Sequence, residues 1–159
     1  MKTVKKFAAA FLAIIMVLSL TACGGAERTV VLRGDTTEER GGIPTTDTWT
    51  LTAKGDIVQT LTEVLEVDLS DYDDETRDYF IALVGDAMLE AADGIEGVVC
   101  TDRTEGATYI LEITVDCTGS AIKEAVEAGL FEVDGNSSVI SLKETQSSLE
   151  SQGYKVVEE

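Results

Sequence analysis

The sequence predicts an α+β fold in which helices pack on one face of an antiparallel β-sheet. From Tyr109 to Cys117 every second residue is apolar, a pattern typical of a strand with one buried face. Between Phe80 and Ala91 the apolar residues recur at helical spacing instead. Two extended segments joined by the tight turn Lys54-Gly55-Asp56 indicate a hairpin. Strands grouped before a helix, rather than alternating with helices, favour the α+β class.

Three strands are expected to precede the first helix. Residues 29–33 suit the first strand, and residues 35–46, with the only proline of the chain, read as a loop. Residues 47–53 and 57–67 then form two further extended segments on either side of the tight turn. The N-terminal half is therefore predicted to be a three-stranded meander.

The first helix is expected to begin in the acidic stretch that follows the meander. Ser70 and Asp71 offer N-caps, and residues 73–75 are acidic, as the helix dipole favours near an N-terminus. Gly94 is the expected end of this helix. A hairpin over residues 98–117, turning near residues 104–107, follows it.

Two helices and a possible strand are predicted to end the chain. Ser120 can cap a short helix that stops at Gly129. Ser141 begins the last helix, with Glu144 three places on as in a capping box. If Gly153 ends this helix, Leu149 and Tyr154 should be in contact. The predicted order is three strands, a helix, two strands and two helices, with a possible terminal strand at residues 155–157.

The N-terminus has the three regions of an export signal. Three lysines precede an uncharged apolar run over residues 7–20, which is closed by Leu20-Thr21-Ala22-Cys23. The run is shorter than the roughly 20 residues that a membrane-spanning helix needs. The closing tetrapeptide resembles the lipobox of bacterial lipoproteins, which implies cleavage after Ala22 and a lipid on the sulfur of Cys23.

The predicted organisation is a signal peptide over residues 1–22, a lipidated cysteine and tether over residues 23–28, and a single domain over residues 29–159. The lipid would hold this domain on the extracytoplasmic face of the cell membrane. An ordinary signal peptide with an incidental cysteine, or an uncleaved short membrane helix, are the alternatives. No cofactor is predicted.

The charge of the chain excludes one class of partner. Three of the 12 basic residues are lysines of the predicted signal. The rest of the chain therefore has 9 basic and 30 acidic residues, a formal charge of −21. Such a domain repels phosphate backbones. Nucleic acid is therefore not an expected partner.

The two remaining cysteines are predicted to be unbridged thiols. In the expected hairpin Cys100 faces about Leu111, and Cys117 lies roughly 20 Å further along at about 3.3 Å per residue. A disulfide requires Cα atoms within about 7 Å. A bridge is possible only if the hairpin is irregular.

Several short motifs together resemble the YehR-like family of small bacterial lipoproteins. They are the lipobox, the turn at residues 54–56, the helix end Gly94-Ile95-Glu96-Gly97-Val98, and the closing Gly153-Tyr154-Lys155-Val156 after Leu149. The resemblance implies an α+β fold and a domain of unknown function. It implies no site residues.

Catalysis is not expected. The chain has no histidine, which excludes histidine-based triads and histidine-bound metal hydrolysis. The most suggestive cluster is acidic, with Asp71, Asp73, Asp74 and Glu75 as weak candidates for Ca²⁺ ligands. It lacks the spacing of an EF-hand loop, so helix capping is the favoured interpretation.

Two functional classes therefore remain: a non-enzymatic module that binds a protein or a small ligand, and a structural or envelope-maintenance lipoprotein. A weakly Ca²⁺-binding surface protein is a variant of these. An exposed apolar or aromatic patch would favour the binding module.

Overall fold

The computed structural model describes residues 25–37, 41–131 and 139–158. Its centre is one six-stranded sheet with the spatial order β4-β5-β3-β2-β1-β6, in which all neighbours are antiparallel. The strands are β1 (Glu27–Asp35), β2 (Thr45–Lys54), β3 (Ile57–Asp68), β4 (Val98–Glu105), β5 (Thr108–Asp116) and β6 (Lys155–Glu158). The predicted α+β class and the order of elements are confirmed, including the terminal strand.

The helices all pack on the same face of this sheet. They are α1 (Asp74–Phe80), a π-helical turn (Ile81–Gly85), α2 (Asp86–Ala92), α3 (Ala121–Glu127) and α4 (Leu142–Ser151). The first three are consecutive, so the single helix predicted here is interrupted by a π turn. Gly94, with φ +78°, follows its end as predicted.

The core lies between the helices and the inward residues of the central strands. Cross-strand pairing places the inward residues in rungs, for example Leu51 opposite Leu61 and Leu65 opposite Leu111. The buried apolar residues of β2, β3 and β5 on this face are Leu51, Ala53, Val58, Leu61, Leu65, Val67, Tyr109, Leu111, Ile113 and Val115. The predicted strand alternation therefore describes the covered face correctly.

The opposite face of the sheet bears no helix among the described residues and is rich in threonine. Thr62 and Thr114 face each other across β3 and β5 with their hydroxyl oxygens 2.9 Å apart. Ile110 is a buried residue on this face. Its cross-strand neighbours are Glu66 and Arg103, whose long side chains flank it.

The first strand begins earlier than predicted, at Glu27 rather than at Thr29. The chain is already packed at Gly25, where a Cβ would lie 2.6 Å from the Gly55 Cα. Gly55 N also donates to Ala26 O at 3.2 Å. The predicted tether over residues 23–28 is therefore wrong in its second half, since the hydrogen bonds of the sheet include residues 27 and 28.

The cap of α1 is also displaced from its prediction. Neither Ser70 nor Asp71 caps this helix; Asp73 does, accepting from Thr76 N at 2.8 Å. The buried Leu69 holds the chain in a turn, closed by a hydrogen bond from Tyr72 N to Leu69 O at 3.1 Å. The helix can begin only after this turn.

The C-terminal helix ends as predicted. Ser141 Oγ accepts from Glu144 N at 3.2 Å and caps the start of α4. At the other end Tyr154 N donates to Leu149 O and Gly153 N donates to Glu150 O, both at 3.1 Å. These two bonds, with Gly153 at φ +98°, make a Schellman motif. Ser120 precedes α3 as predicted, although its hydroxyl donates to Glu124 Oε1 instead of capping the backbone.

Cys100 and Cys117 are both free thiols. The predicted hairpin register is wrong by two residues, since Cys100 pairs with Ile113 and not with Leu111. Gly106, at φ +65°, is the first residue of a two-residue turn, which lies one residue later than predicted. Cys117 is still four residues beyond the partner of Cys100, about 13 Å at 3.3 Å per residue, so the separation that excludes a bridge persists.

Candidate functional site

An apolar cavity of about 120 Å³ lies between the π turn and the sheet. Its walls come from the loop before β2, the first residue of β2, the ends of β3 and β5, and the helix above them. The lining residues are Ile43, Thr45, Leu65, Val67, Phe80, Val84, Tyr109 and Leu111. This cavity is the best candidate for a ligand site among the described residues.

The π turn packs closely against Tyr109 in the cavity wall. Gly85 ends the turn and is buried, and a Cβ at this position would clash with the Tyr109 hydroxyl. The hydroxyl in turn donates to Asp102 Oδ2 at 3.2 Å. Turns of this kind frequently lie beside functional sites. Glycine is therefore required where the helix passes over the tyrosine.

The polar atoms of the cavity already have partners. Thr45 Oγ1 donates to Ile43 O at 2.8 Å, and the Tyr109 hydroxyl is bound to Asp102. Burial, with the nearby Asp102 charge, raises the pKa of Tyr109 well above its usual range. Phe80 packs edge-to-face on the Tyr109 ring, with centroids 6.2 Å apart. The cavity therefore offers dispersion contacts and suits an apolar group.

A second depression of about 280 Å³ is open and charged. It lies on the threonine-rich face at the same end of the sheet, where Arg33 reaches Glu66 Oε2 at 3.2 Å. Asp35 and Asp68 also line it. Hydrogen bonds from Thr37 and from Ser70 lower the pKa values of these two carboxyls. Both carboxylates are thus engaged by the backbone of their own loops.

The acidic residues proposed as calcium ligands do not converge. Asp73 caps α1, and Asp74 Oδ1 lies 3.4 Å from Arg77 Nη1. Asp71 and Glu75 are exposed. Within the described ranges no group of three or more acidic or cysteine side chains is arranged to hold a metal ion. Hydrogen bonding by Thr76 lowers the pKa of Asp73, as its capping role requires.

Sequence reasoning missed a buried polar cluster on the covered face of the sheet. Asp47 is 2% exposed and Glu63 is 8% exposed. Asp47 Oδ2 accepts from Tyr154 Oη at 2.6 Å and from Trp49 Nε1 at 3.0 Å. The sequence did indicate the burial of Asp47, because in a strand it lies on the same face as Trp49 and Leu51.

The predicted cleavage site and lipidated residue, Ala22 and Cys23, lie outside the described residues, as does the whole predicted signal. No helix in the described part of the chain is long and apolar enough to cross a membrane.

The arrangement of sheet and helices is similar to that of the E. coli YehR protein solved by NMR. The two agree with a TM-score of 0.65 at 14% sequence identity, over 85% of this chain and 94% of that one. The chain has the YehR-like fold. An NMR structure of a Streptococcus pneumoniae TIGR4 protein has the same fold, with a TM-score of 0.61 and 16% identity over 98% of both chains.

The resemblance to YehR predicted from short motifs is thus confirmed at the level of the fold. No family model matches the sequence, and no curated protein matches it as a relative. At identities of 14% and 16% the YehR-like fold carries no ligand or activity across. Function must therefore be argued from the residues of this chain.

Proposed function

We propose that this chain is a lipid-anchored, extracytoplasmic binding module that is not an enzyme, and that it holds a small apolar group beneath the π turn. The observation that carries the binding role is the cavity of about 120 Å³. Apolar cavities of roughly this size stay dry and accept ligands such as benzene or xenon.

The anchor is argued from the N-terminus. The lipobox ends at Cys23, and the chain is already packed against the β2–β3 turn at Gly25, only two residues later. Two acyl chains bury enough CH₂ groups, at about 0.8 kcal/mol each, to hold a protein stably on a bilayer.

A binding role is favoured over catalysis by the chemistry of the cavity wall. Tyr109 is the only ionisable side chain among the described residues that line it. Its raised pKa keeps the phenol protonated, so it cannot serve as a base at neutral pH. Binding by shape and dispersion is the function that this lining supports.

The binding role is tested with benzene as the probe, in titrations followed by amide NMR. Saturable shifts of residues around the cavity are expected. Val84→Phe should abolish them because the larger side chain fills the cavity. Val99→Phe is the matched control, since Val99 is 59% exposed on the other face. Wild-type spectra that benzene does not change would contradict the proposal.

The anchor is tested separately by cell fractionation with labelled palmitate. The wild-type chain should be labelled and should sediment with membranes, whereas Cys23→Ala should lose the label and leave the membrane fraction. Continued labelling of Cys23→Ala in the membrane would refute lipidation at this residue.

A further inference from the structure

The distance between the proposed lipid and the folded sheet is very short. Gly25 is packed against Gly55, so at most two residues span the gap back to Cys23. Fully extended, two residues cover about 7 Å. The end of the sheet that carries Gly25 must therefore lie within about 7 Å of the acylated cysteine.

This tether end of the domain consists of Gly25, the turn Lys54-Gly55-Asp56, Ile57, and the segment from Val139 to Lys143. A bridge between Ile57 and Ser141, and a 3.0 Å bond from Val58 N to Ile140 O, bring the segment alongside the start of β3. The tether end is therefore built from three separate stretches of chain that meet beside Gly25.

The tether end exposes apolar and basic side chains. Ile57 and Val139 are each 50% exposed and lie on neighbouring segments, because Ile57 bridges to Ser141. Lys54 and Lys143 are exposed beside them. Apolar side chains with flanking lysines are the composition of segments that rest in the interfacial region of a bilayer.

Asp56, the carboxylate of the β2–β3 turn, is occupied within the domain. It accepts from Lys143 N at 3.0 Å and from Ser141 Oγ at 2.9 Å, at the N-terminus of α4. The helix dipole offsets its charge there. Glu27 and Glu144 are the other exposed carboxylates near the tether, and Arg28 joins the two lysines as a third basic side chain. Acidic and basic side chains are therefore balanced at this end.

The acidic residues of α1 and the loop before it lie at the other end of the sheet. β3 runs twelve residues from Ile57 to Asp68, about 36 Å at 3.3 Å per step. The acidic residues 68, 71 and 73–75 follow directly. An anionic headgroup layer repels this end and attracts the lysines.

We propose that the tether end rests on the membrane surface, with Ile57 and Val139 in the headgroup region, so that the sheet stands on the bilayer and carries the π-turn cavity away from it. This orientation rests on the proposed lipid anchor. The surface that covers the tether end is a lipid bilayer. Two observations support this: the two-residue tether, and the difference in charge between the two ends of the sheet.

The test uses the acylated mature protein, reconstituted into phosphatidylcholine and phosphatidylglycerol vesicles with brominated acyl chains. Tryptophan is introduced as Ile57→Trp at the tether end and, as the matched control, as Tyr72→Trp, at the far end and 36% exposed. Trp49 is present throughout, and its quenching in the parent protein is subtracted. Quenching should be several-fold stronger for Ile57→Trp. Val139→Trp should repeat the result if Ile57→Trp disturbs folding, which circular dichroism would reveal.

A flexible Gly/Ser linker of about 20 residues before Gly25, spanning roughly 25 Å on average, should remove the difference while the protein still sediments with vesicles. Equal quenching of the two tryptophans in sedimenting protein without the linker would overturn the orientation alone. Protein that lacks acyl chains by mass spectrometry and does not sediment would instead overturn the lipid anchor, and the orientation with it.

Discussion

Tyr154 Oη donates a 2.6 Å hydrogen bond to Asp47 Oδ2, joining the start of the last strand to β2 across β1. Both side chains are buried. The ring lies against Gly34, where a Cβ would be 2.8 Å from its carbons. Burial raises the pKa of Tyr154, and the bond to Asp47 raises it further. A buried phenol held by a carboxyl group thus fastens the C-terminus to the sheet.

Tyr154→Phe should lower the free energy of unfolding by about 1–3 kcal/mol, because it removes one partner from a buried carboxyl group. Urea denaturation followed by circular dichroism measures the change. The matched control is Tyr79→Phe, since Tyr79 is 69% exposed and should change stability by less than about 0.5 kcal/mol. Equal stability of Tyr154→Phe and wild type would show that the bond contributes nothing.

Gly85→Ala should destabilise the protein by about 1–3 kcal/mol, as overpacking does, because the new methyl clashes with the Tyr109 hydroxyl. The sign is informative, since glycine to alanine in a helix ordinarily stabilises by about 0.5–1 kcal/mol. In a double-mutant cycle, combining the change with Tyr109→Phe should cost less than the sum of the two single changes. Gly119→Ala, where a Cβ meets nothing within 4 Å, is the control. Additive costs would disprove the proposed clash.

Asp56→Asn should lower the melting temperature at pH 7 and have progressively less effect toward pH 2. Hydrogen bonds from Lys143 N and Ser141 lower the pKa of the Asp56 carboxyl in the folded state. Its stabilisation is therefore complete above the unfolded pKa of about 3.9 and is lost as the pH falls through the lower folded value. Melting curves between pH 2 and pH 7 measure the difference, with exposed Asp71→Asn as the control. A difference that stays constant down to pH 2 would contradict the charge-based explanation.

The thiols of the Cys23→Ala variant should react with maleimide slowly in the native protein and completely in denaturant without reductant. Burial raises the pKa of Cys117 to about 11 and also raises that of Cys100, so little thiolate exists at pH 8. Cys100, the less buried of the two, should react first. Mass spectrometry counts the labels. Failure to label either cysteine after denaturation would indicate a disulfide.

Most of the fold could be predicted from the sequence, because strand alternation, helix caps and turns depend on residues that are close together in the chain. The apolar alternation correctly predicted β5 and its buried face, and Ser141 with Glu144 predicted the start of α4. Gly153 predicted the end of α4 and the pairing of Leu149 with Tyr154. Each of these rests on residues within one or two turns of each other.

The features that were missed depend on contacts between distant parts of the chain. The π turn fits Gly85 over Tyr109, 24 positions away, and no periodicity in the helix announces it. The cap at Asp73 follows from the position of Leu69, which is buried and whose N–H donates to Ala107 O at 2.9 Å, 38 residues later. The cavity likewise joins a loop, three strands, α1 and the π turn. The burial of Asp47 could have been predicted from its position in the alternation of β2, but its hydrogen bond to Tyr154 could not.

Attachment of this domain to a membrane by a lipid on Cys23 can be measured by intact and N-terminal mass spectrometry of the protein extracted from membranes. We expect a mature chain that begins at Cys23 and carries a diacylglyceryl group on its sulfur. A chain that still contains residues 1–22, or one whose Cys23 is an unmodified thiol, would contradict it.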